Sequence, residues 1–522
     1  MFARLGRACY DHRRAVALLW LVLLVLGVVA GSSVFGRLGN GEGGGGGWES
    51  VEAYDRLGEV TPYGPRLTGV LDGRPVQDAD VRRAVVAARE ELAATGGVAR
   101  VVDAYAVPLP DLWAADGRAS LVAVDLARDL PDDRQEELLA EVERRLRAIG
   151  TAAPVEVTVG GTSLVRNEVN EQVERDTQQG ELVAMPLSLI AMIVIFGGLA
   201  AAGVPFLGAL ASIAGGLLSV LGWSYVLDEM DPSVVSVTTV LGLGLSIDYA
   251  LLVVSRYREE RGAGLDPRAA VERTSATAGR TITYSALVVA TSLSALFVFP
   301  TPIFRAIAAA GVSVVLVALL AGLTLTPALI GLLGRRIKAP TRPVPGTGFF
   351  SRFARGVQRR PLLVTLSVAA VLLAAGSPFL HARFQNGGAD LLPREFESRR
   401  FVDLTEQRFP SRGTEPITVL AEAPLPAVEA YAAGVAELPG VRDVRAPEQR
   451  GPYAVFEVVP VGDAQGDQAR GLVDALRAER PEFRTWVTGD AAVLVDFLDE
   501  VTSRVPYALA CWRWPPSCCC SS

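Results

Sequence analysis

The residues best placed to do chemistry lie in an apolar run, Pro232 to Tyr257, that carries an aspartate far from either end. The run is long enough to cross a hydrocarbon core, which needs roughly 20 apolar residues. Its interior reads Val240-Leu-Gly-Leu-Gly-Leu-Ser-Ile-Asp-Tyr249, so Asp248 precedes Arg256 by eight residues, or about 12 Å of helix. A carboxylate that deep costs roughly 2.5–3.5 kcal/mol on insertion scales, and such residues by default mark ion or proton pathways. Gly244 lies one turn before Asp248, while Gly242 and Ser246 share the face of Tyr249. Small residues at that spacing admit a second helix at close range and present a polar partner. The chemistry open to this group is reversible protonation of a desolvated carboxyl beside a phenol. The plainer alternative is a structural helix–helix hydrogen bond.

Composition says what must hold these residues. The chain has 522 residues, half of them hydrophobic, and they gather in long runs, as in a polytopic membrane protein. The net charge of −7 comes without a polybasic tail or a phosphate loop, which argues against a nucleic-acid partner. His12 and His381 are the only histidines, so a histidine-based metal site or catalytic triad is not expected, and no cofactor motif is present. Four of the five cysteines (Cys511, Cys518, Cys519, Cys520) fall in the last twelve residues, which excludes a disulfide framework elsewhere.

Seven spans are expected. A basic segment, residues 1–14, precedes the first span at 15–36. That run exceeds the roughly 7–15 residues of a signal-peptide core, although Ala30-Gly31-Ser32-Ser33 near its end resembles a cleavage site. The Gly39–Gly47 tract reads as a flexible linker. Five runs follow between residues 182 and 334: Leu182–Ala202, Pro205–Leu227, Pro232–Val254, Thr283–Phe299 and Ile303–Leu333. A basic linker, 335–360, leads to the seventh span at 361–380. The positive-inside rule puts residues 1–14, 256–280 and 335–360 in the cytoplasm, and the soluble segments 37–181 and 381–505 outside.

Both soluble segments predict the order βαββαβ, a ferredoxin-like pattern. In the first, strands are expected at Arg66–Leu71, Val98–Tyr105, Ser120–Leu126 and Val155–Val159, with helices at Gln77–Thr95 and Asp132–Ile149. Trp48 and Trp113 of this segment fit core and substrate contact equally well. In the second, strands fall at Pro416–Ala421, Val441–Arg445, Ala454–Val461 and Thr485–Thr488, with helices at Pro426–Leu438 and Asp467–Arg480. Arg13-Arg14 and Asn40-Gly41 bracket the first span as Arg359-Arg360 and Asn386-Gly387 bracket the seventh. The offset is 346 both times (359 − 13 and 386 − 40), the mark of a tandem repeat. The second repeat breaks off. After Val505-Pro506 a span is expected, yet residues 506–522 form a Cys-rich tail with Pro515-Pro516. It reads as a frameshift or premature end rather than a lipidation or metal site.

These features together resemble the MMPL family of the resistance-nodulation-division superfamily. The resemblance rests on Gly242-Leu-Gly-Leu-Ser-Ile-Asp-Tyr249, on Arg256-Tyr-Arg-Glu-Glu260, on Asn386 with Leu391-Leu-Pro393, and on the order of spans and modules. Residues 182–334 also resemble a sterol-sensing arrangement. The resemblance implies proton-driven export of lipids or other hydrophobic compounds at the plasma membrane, with Asp248 and Tyr249 as a proton-relay pair and the outer modules as the substrate path. It implies a second relay pair on a span that this sequence does not contain. The partners it implies are membrane lipids, an apolar substrate and protons, with a homo-oligomer or a second chain as sources of the missing helices. The rival reading is a non-transporting scaffold that binds a partner through its outer modules.

Overall fold

The structure is a computed structural model. It describes residues 1–31, 33–34, 47–61, 63–106, 112–128, 130–196, 198–227, 230–231, 233–334, 336–337, 349–381, 389, 392–409 and 415–513. Asn40, Gly41, Asn386, Gly387, Leu391 and the tail residues Pro515 to Cys520, on which parts of the repeat, the resemblance and the tail reading rest, lie outside that set.

In chain order, helices α1 (Phe2–Asp11), α2 (Arg13–Val29) and α3 (Glu49–Val60) come first. The first sheet module is β1 (Tyr63–Asp72), α4 (Ala79–Ala93), β2 (Val98–Asp103), β3 (Ala119–Ala127), α5 (Asp132–Ala152) and β4 (Glu156–Gly160). Then come α6 (Thr162–Phe196), α7 (Leu199–Trp223), α8 (Ser233–Gly262), α9 (Pro267–Ser294), α10 (Pro302–Leu320) and α11 (Thr326–Leu333). Helices α12 (Phe349–Arg359), α13 (Pro361–Gly376) and α14 (Glu397–Arg408) lead to the second module. That module contains β5 (Ile417–Ala421), α15 (Leu425–Val435), β6 (Val441–Val444), β7 (Glu448–Arg450) and β8 (Tyr453–Pro460). It ends with α16 (Asp467–Ala478), β9 (Thr485–Thr488) and α17 (Asp490–Arg513).

The chain divides into two compact units. One comprises residues 1–43, 180–384 and 501–522; the other comprises 44–179 and 385–500. In the first, six helices of the described residues are long and apolar enough to cross a membrane, or seven if the pair α1 and α2 counts as one span. That pair bends by 89°, which the uniform run at 15–36 did not suggest. Helix starts follow local chemistry. Asp266 caps α9 by accepting from the backbone N–H groups of Arg268 and Ala269, and Pro267, Pro302 and Pro361 occupy first turns, where a missing N–H costs nothing. Helices α2 and α7 to α10 pack closely through small residues. A Cβ on Gly27 would lie 2.7 Å from that of Ala214, and one on Gly242 would lie 3.1 Å from Val314 Cγ2. Close backbone approach through Gly and Ala is how helices associate without a hydrophobic driving force.

In the second unit each module folds into an antiparallel sheet, with strand orders β2-β3-β1-β4 and β6-β8-β5-β9. Register is set by alternation: Val70 faces Leu121 on one side and Thr158 on the other. The short strand β7, which the sequence pattern did not signal, pairs with β8 and widens the second sheet. One face of the first sheet packs on α4 and α5 through Leu67, Val85, Val124, Leu138 and Leu146. The opposite face carries Val70 and Leu121 against Phe401 and Leu404 of α14. The second sheet packs one face on α15 and α16, and the other on Ala53, Leu57 and Val60 of α3. So the helix that precedes each module in sequence covers the sheet of the other.

Polar contacts repeat this exchange pairwise. Glu49 accepts from the backbone N–H of Val487 and from Arg480, while Glu397 accepts from the backbone N–H of Val159 and from Arg147. The N–H of Ser50 donates to Asp496 at 3.0 Å, and that of Ser398 to Glu168 at 3.3 Å. Trp48 is buried and donates its indole N–H to Glu500, which settles it as core. Trp113 is 38 % exposed and donates to the Ala104 carbonyl.

Candidate functional site in the spanning bundle

Helix α8 presents two faces. Thr238, Gly242, Ser246, Tyr249, Val253 and Tyr257 are buried at spacings of three and four, against α7, α9 and α10. Val240, Gly244, Asp248 and Leu252 form a second stripe, spaced by four, and every one is exposed. The two halves of the expected relay pair are thus split: Tyr249 is inside this bundle, and Asp248 is on its open side. Adjacent helical residues point about 100° apart, which produces the split.

This placement bears on two expectations. Gly242 and Ser246 are packing positions, but a Cβ on Gly244 would meet no atom within 4 Å, so no described helix uses it. Nor do the described residues desolvate Asp248, which makes no hydrogen bond or ion pair among them. The apolar run told depth along the helix but not direction around it.

Tyr249 is 4 % exposed. Its phenolic oxygen completes no hydrogen bond, although Ser285 of α9 comes within its reach. Ser285 and its neighbour Tyr284 are exposed, so α9 too offers polar groups on an open surface, with Leu287 and Val288 beside them. Hydroxyls on spanning helices usually return to a carbonyl of their own helix, as those of buried Thr238 and half-buried Ser219 and Thr283 do. Ser212, Ser246, Tyr249, Tyr257, Thr274 and Ser275 instead leave buried oxygens without a partner. An unpaired buried hydroxyl costs roughly 1–3 kcal/mol, so these six, with Ser233 Oγ at the start of α8 as a seventh, stand out in one bundle.

Sequence reading missed the element behind Tyr249. The long helix running from α10 into α11 opens into a single π-helical turn at Ala321–Leu325, two residues before Pro327. Such turns gather at functional positions, and this one presents Gly322 to Tyr249. A Cβ on Gly322 would lie 3.4 Å from Tyr249 Cβ and 3.1 Å from Ile282 Cδ1. In the same turn the Thr324 hydroxyl accepts the Trp20 indole N–H at 3.0 Å and donates to the Leu320 carbonyl at 2.6 Å. The pattern Gly322-Leu-Thr-Leu-Thr-Pro327 carried the signal, since a buried proline within a helix forces local rearrangement. At the far end of α8, Arg256 pairs with buried Glu260 at 2.6 Å. No cluster of three or more His, Cys, Asp or Glu among the described residues could hold a metal ion.

A model of the MMPL family matches residues 45–364. A membrane protein of Streptomyces coelicolor, SCO6666, is 39 % identical over 511 residues, which cover 97 % of this chain and 71 % of that protein. The heme uptake protein MmpL11 of Mycobacterium tuberculosis is 28 % identical over 97 % of this chain and 55 % of its own length. The trehalose monomycolate exporter MmpL3 of the same species is 26 % identical over 51 % of this chain and 32 % of its own length. With an apolar helical bundle, two α/β sheets and these matches in hand, the chain belongs to the MMPL family, whose members are membrane transporters and not enzymes.

Proposed function

We propose that the chain is part of a proton-driven exporter of lipids or other hydrophobic compounds at the plasma membrane, with Asp248 and Tyr249 as one relay pair. The observation that carries this reading is the position of Asp248, in mid-span on the open stripe of α8. Intramembrane acids face a bundle interior or a water-filled cavity rather than lipid. The stripe Val240, Gly244, Asp248 and Leu252 is therefore read as the seat of further spans, supplied by a longer polypeptide, a second copy or a second chain. Once covered, Asp248 would be desolvated and could alternate between charged and neutral forms. The phenol of Tyr249 and the hydroxyl of Ser285 would pass the proton toward the π-turn side. Protonation would then bias one repeat against the other, as in repeat-built transporters.

The tandem-repeat reading and the ferredoxin-like reading of both modules draw on the matching strand orders and on the paired Glu49 and Glu397 contacts. In this scheme the basic segments 1–14, 256–280 and 335–360 face the cytoplasm, and both sheet modules lie outside as the substrate path. The relative named as an exporter of trehalose monomycolate supports an amphiphilic cargo as a class. The test is proton-coupled efflux in inverted membrane vesicles. Collapsing the pH gradient and introducing Asp248→Asn should each stop it; efflux that survives both overturns the reading. Vesicles with no proton flux, together with a partner held by the outer modules, would favour the scaffold instead.

A further inference from the structure

Within the second unit, α3, the loop after α16 and strand β9 border a cavity of about 390 Å³. That size falls in the range of roughly 300–1,000 Å³ typical of small-molecule sites. The lining is Glu52 and Arg56 from α3 and the run Arg480 to Trp486. Two of its arginines are held rigidly. Arg56 donates to Glu52 through Nε and Nη2 at 3.1 and 2.7 Å, donates to the Tyr453 hydroxyl at 3.0 Å, and stacks 4.3 Å above the Trp486 ring. Arg480 donates to the carbonyls of Arg477 and Thr485 and to Glu49.

A guanidinium carries five N–H donors and accepts nothing. Each of these two makes three bonds, so each keeps two N–H groups unspent (5 − 3). Arg484 is exposed and its side chain makes no hydrogen bond or ion pair among the described residues. Thr485, also in the lining, is buried with an unpartnered hydroxyl. Of the two acids in the lining, Glu52 is committed to Arg56 and Glu482 is exposed without a hydrogen bond or ion pair among the described residues; against three Arg they leave the lining a net charge of +1 (3 − 2). A cavity rich in fixed donors and poor in free acceptors suits an acceptor-rich anion, for which planar arginine forks are well matched. Pro481 and Phe483, both half-buried, add an apolar ledge beside it.

We propose that this cavity binds the phosphate or carboxylate end of an anionic amphiphile, with Arg480 and Arg484 on the anion and Pro481 and Phe483 along its first carbons. The role as a headgroup site for cargo rests on the export reading above; the binding chemistry does not. The same oxygens could come from a lipid headgroup or from a soluble anion.

The test uses the full chain in non-ionic detergent, titrated with inorganic phosphate, glycerol 3-phosphate and dihexanoyl phosphatidate, with amide exchange of residues 49–60 and 480–488 as readout. The phosphate-bearing probes should slow exchange there, and Arg484→Gln should weaken binding about tenfold, the scale of one charge-assisted hydrogen bond. Arg484→Lys should keep most of it. Binding of phosphatidate alone assigns the site to a lipid headgroup, and equal binding of inorganic phosphate assigns it to a soluble anion. No protection by any probe, or unchanged binding in Arg484→Gln, overturns the proposal. The assay needs no proton gradient, so failure of the Asp248 relay leaves its result readable.

Discussion

Asp248→Asn separates fold from coupling. In this chain Asp248 makes no hydrogen bond or ion pair among the described residues and stands on an exposed stripe with Gly244. The amide has nearly the same volume and removes no internal contact, so stability should change by no more than about 0.5 kcal/mol. Membrane insertion should become easier, because a mid-span carboxylate alone costs roughly 2.5–3.5 kcal/mol. Transport should behave oppositely. One proton moving down 100 mV releases about 2.3 kcal/mol. At about 1.4 kcal/mol per factor of ten, that supports roughly 45-fold accumulation of cargo against its gradient. An asparagine cannot exchange a proton, so the variant should accumulate cargo about one-fold, with expression and melting temperature unchanged. The assay is uptake into inverted vesicles under an imposed pH gradient, paired with thermal melting of the purified protein. Accumulation near the wild-type ratio would refute the relay assignment. Lost transport with a large fall in melting temperature would instead make Asp248 a structural group.

Gly27→Ala should destabilise the bundle by about 1–3 kcal/mol, since its Cβ would sit 2.7 Å from that of Ala214 and against the Ala214 carbonyl; detergent melting checks it. Glu397→Gln should loosen α14 by about 1–2 kcal/mol, because one of the two acceptor oxygens and the charge that strengthens the contacts to Arg147 and the Val159 N–H are lost, raising amide exchange at residues 397–408, and Glu49→Gln should do the same to α3. In the first sheet, burial pushes the Asp125 carboxyl up, but Arg66 and Arg100 beside it hold it below the ordinary carboxylate range. A folded pKa below the unfolded value gives stability that is full above about pH 4 and lost as pH falls through the lowered value. Asp125→Asn should therefore flatten the acid limb of the melting profile, and an unchanged limb would show that other carboxylates govern it.

Several features were legible because they depend on local pattern. The alternation at Ser120–Leu126 predicted a strand that the structure extends by one residue at each end, Ala119–Ala127. The helical stripe Leu138, Val142 and Leu146 predicted the face that packs on the first sheet. Strand β7 escaped notice because Glu448-Gln-Arg450 carries no apolar alternation and pairs only through its hairpin with Tyr453 to Val455 of β8. Helices α3 and α14 escaped because they lack a side-chain cap and their first-turn acids, Glu49 and Glu397, are satisfied by chain more than 200 residues away.

The amino-acid sequence by itself determined how deep Asp248 lies in its span, which segments are apolar enough to cross a membrane and which alternate as strands, since length, charge and periodicity act within one element. Only the tertiary structure decided that Asp248 faces out while Tyr249 faces in, because the facing of a helix is set by what its neighbours bury. It also decided that Gly322 approaches Tyr249 through a π-turn and that α3 and α14 exchange sheets. Each of these joins residues from distant parts of the chain. Contacts of that kind arise when close-packed surfaces select their partners, and a local pattern carries no record of the partner chosen.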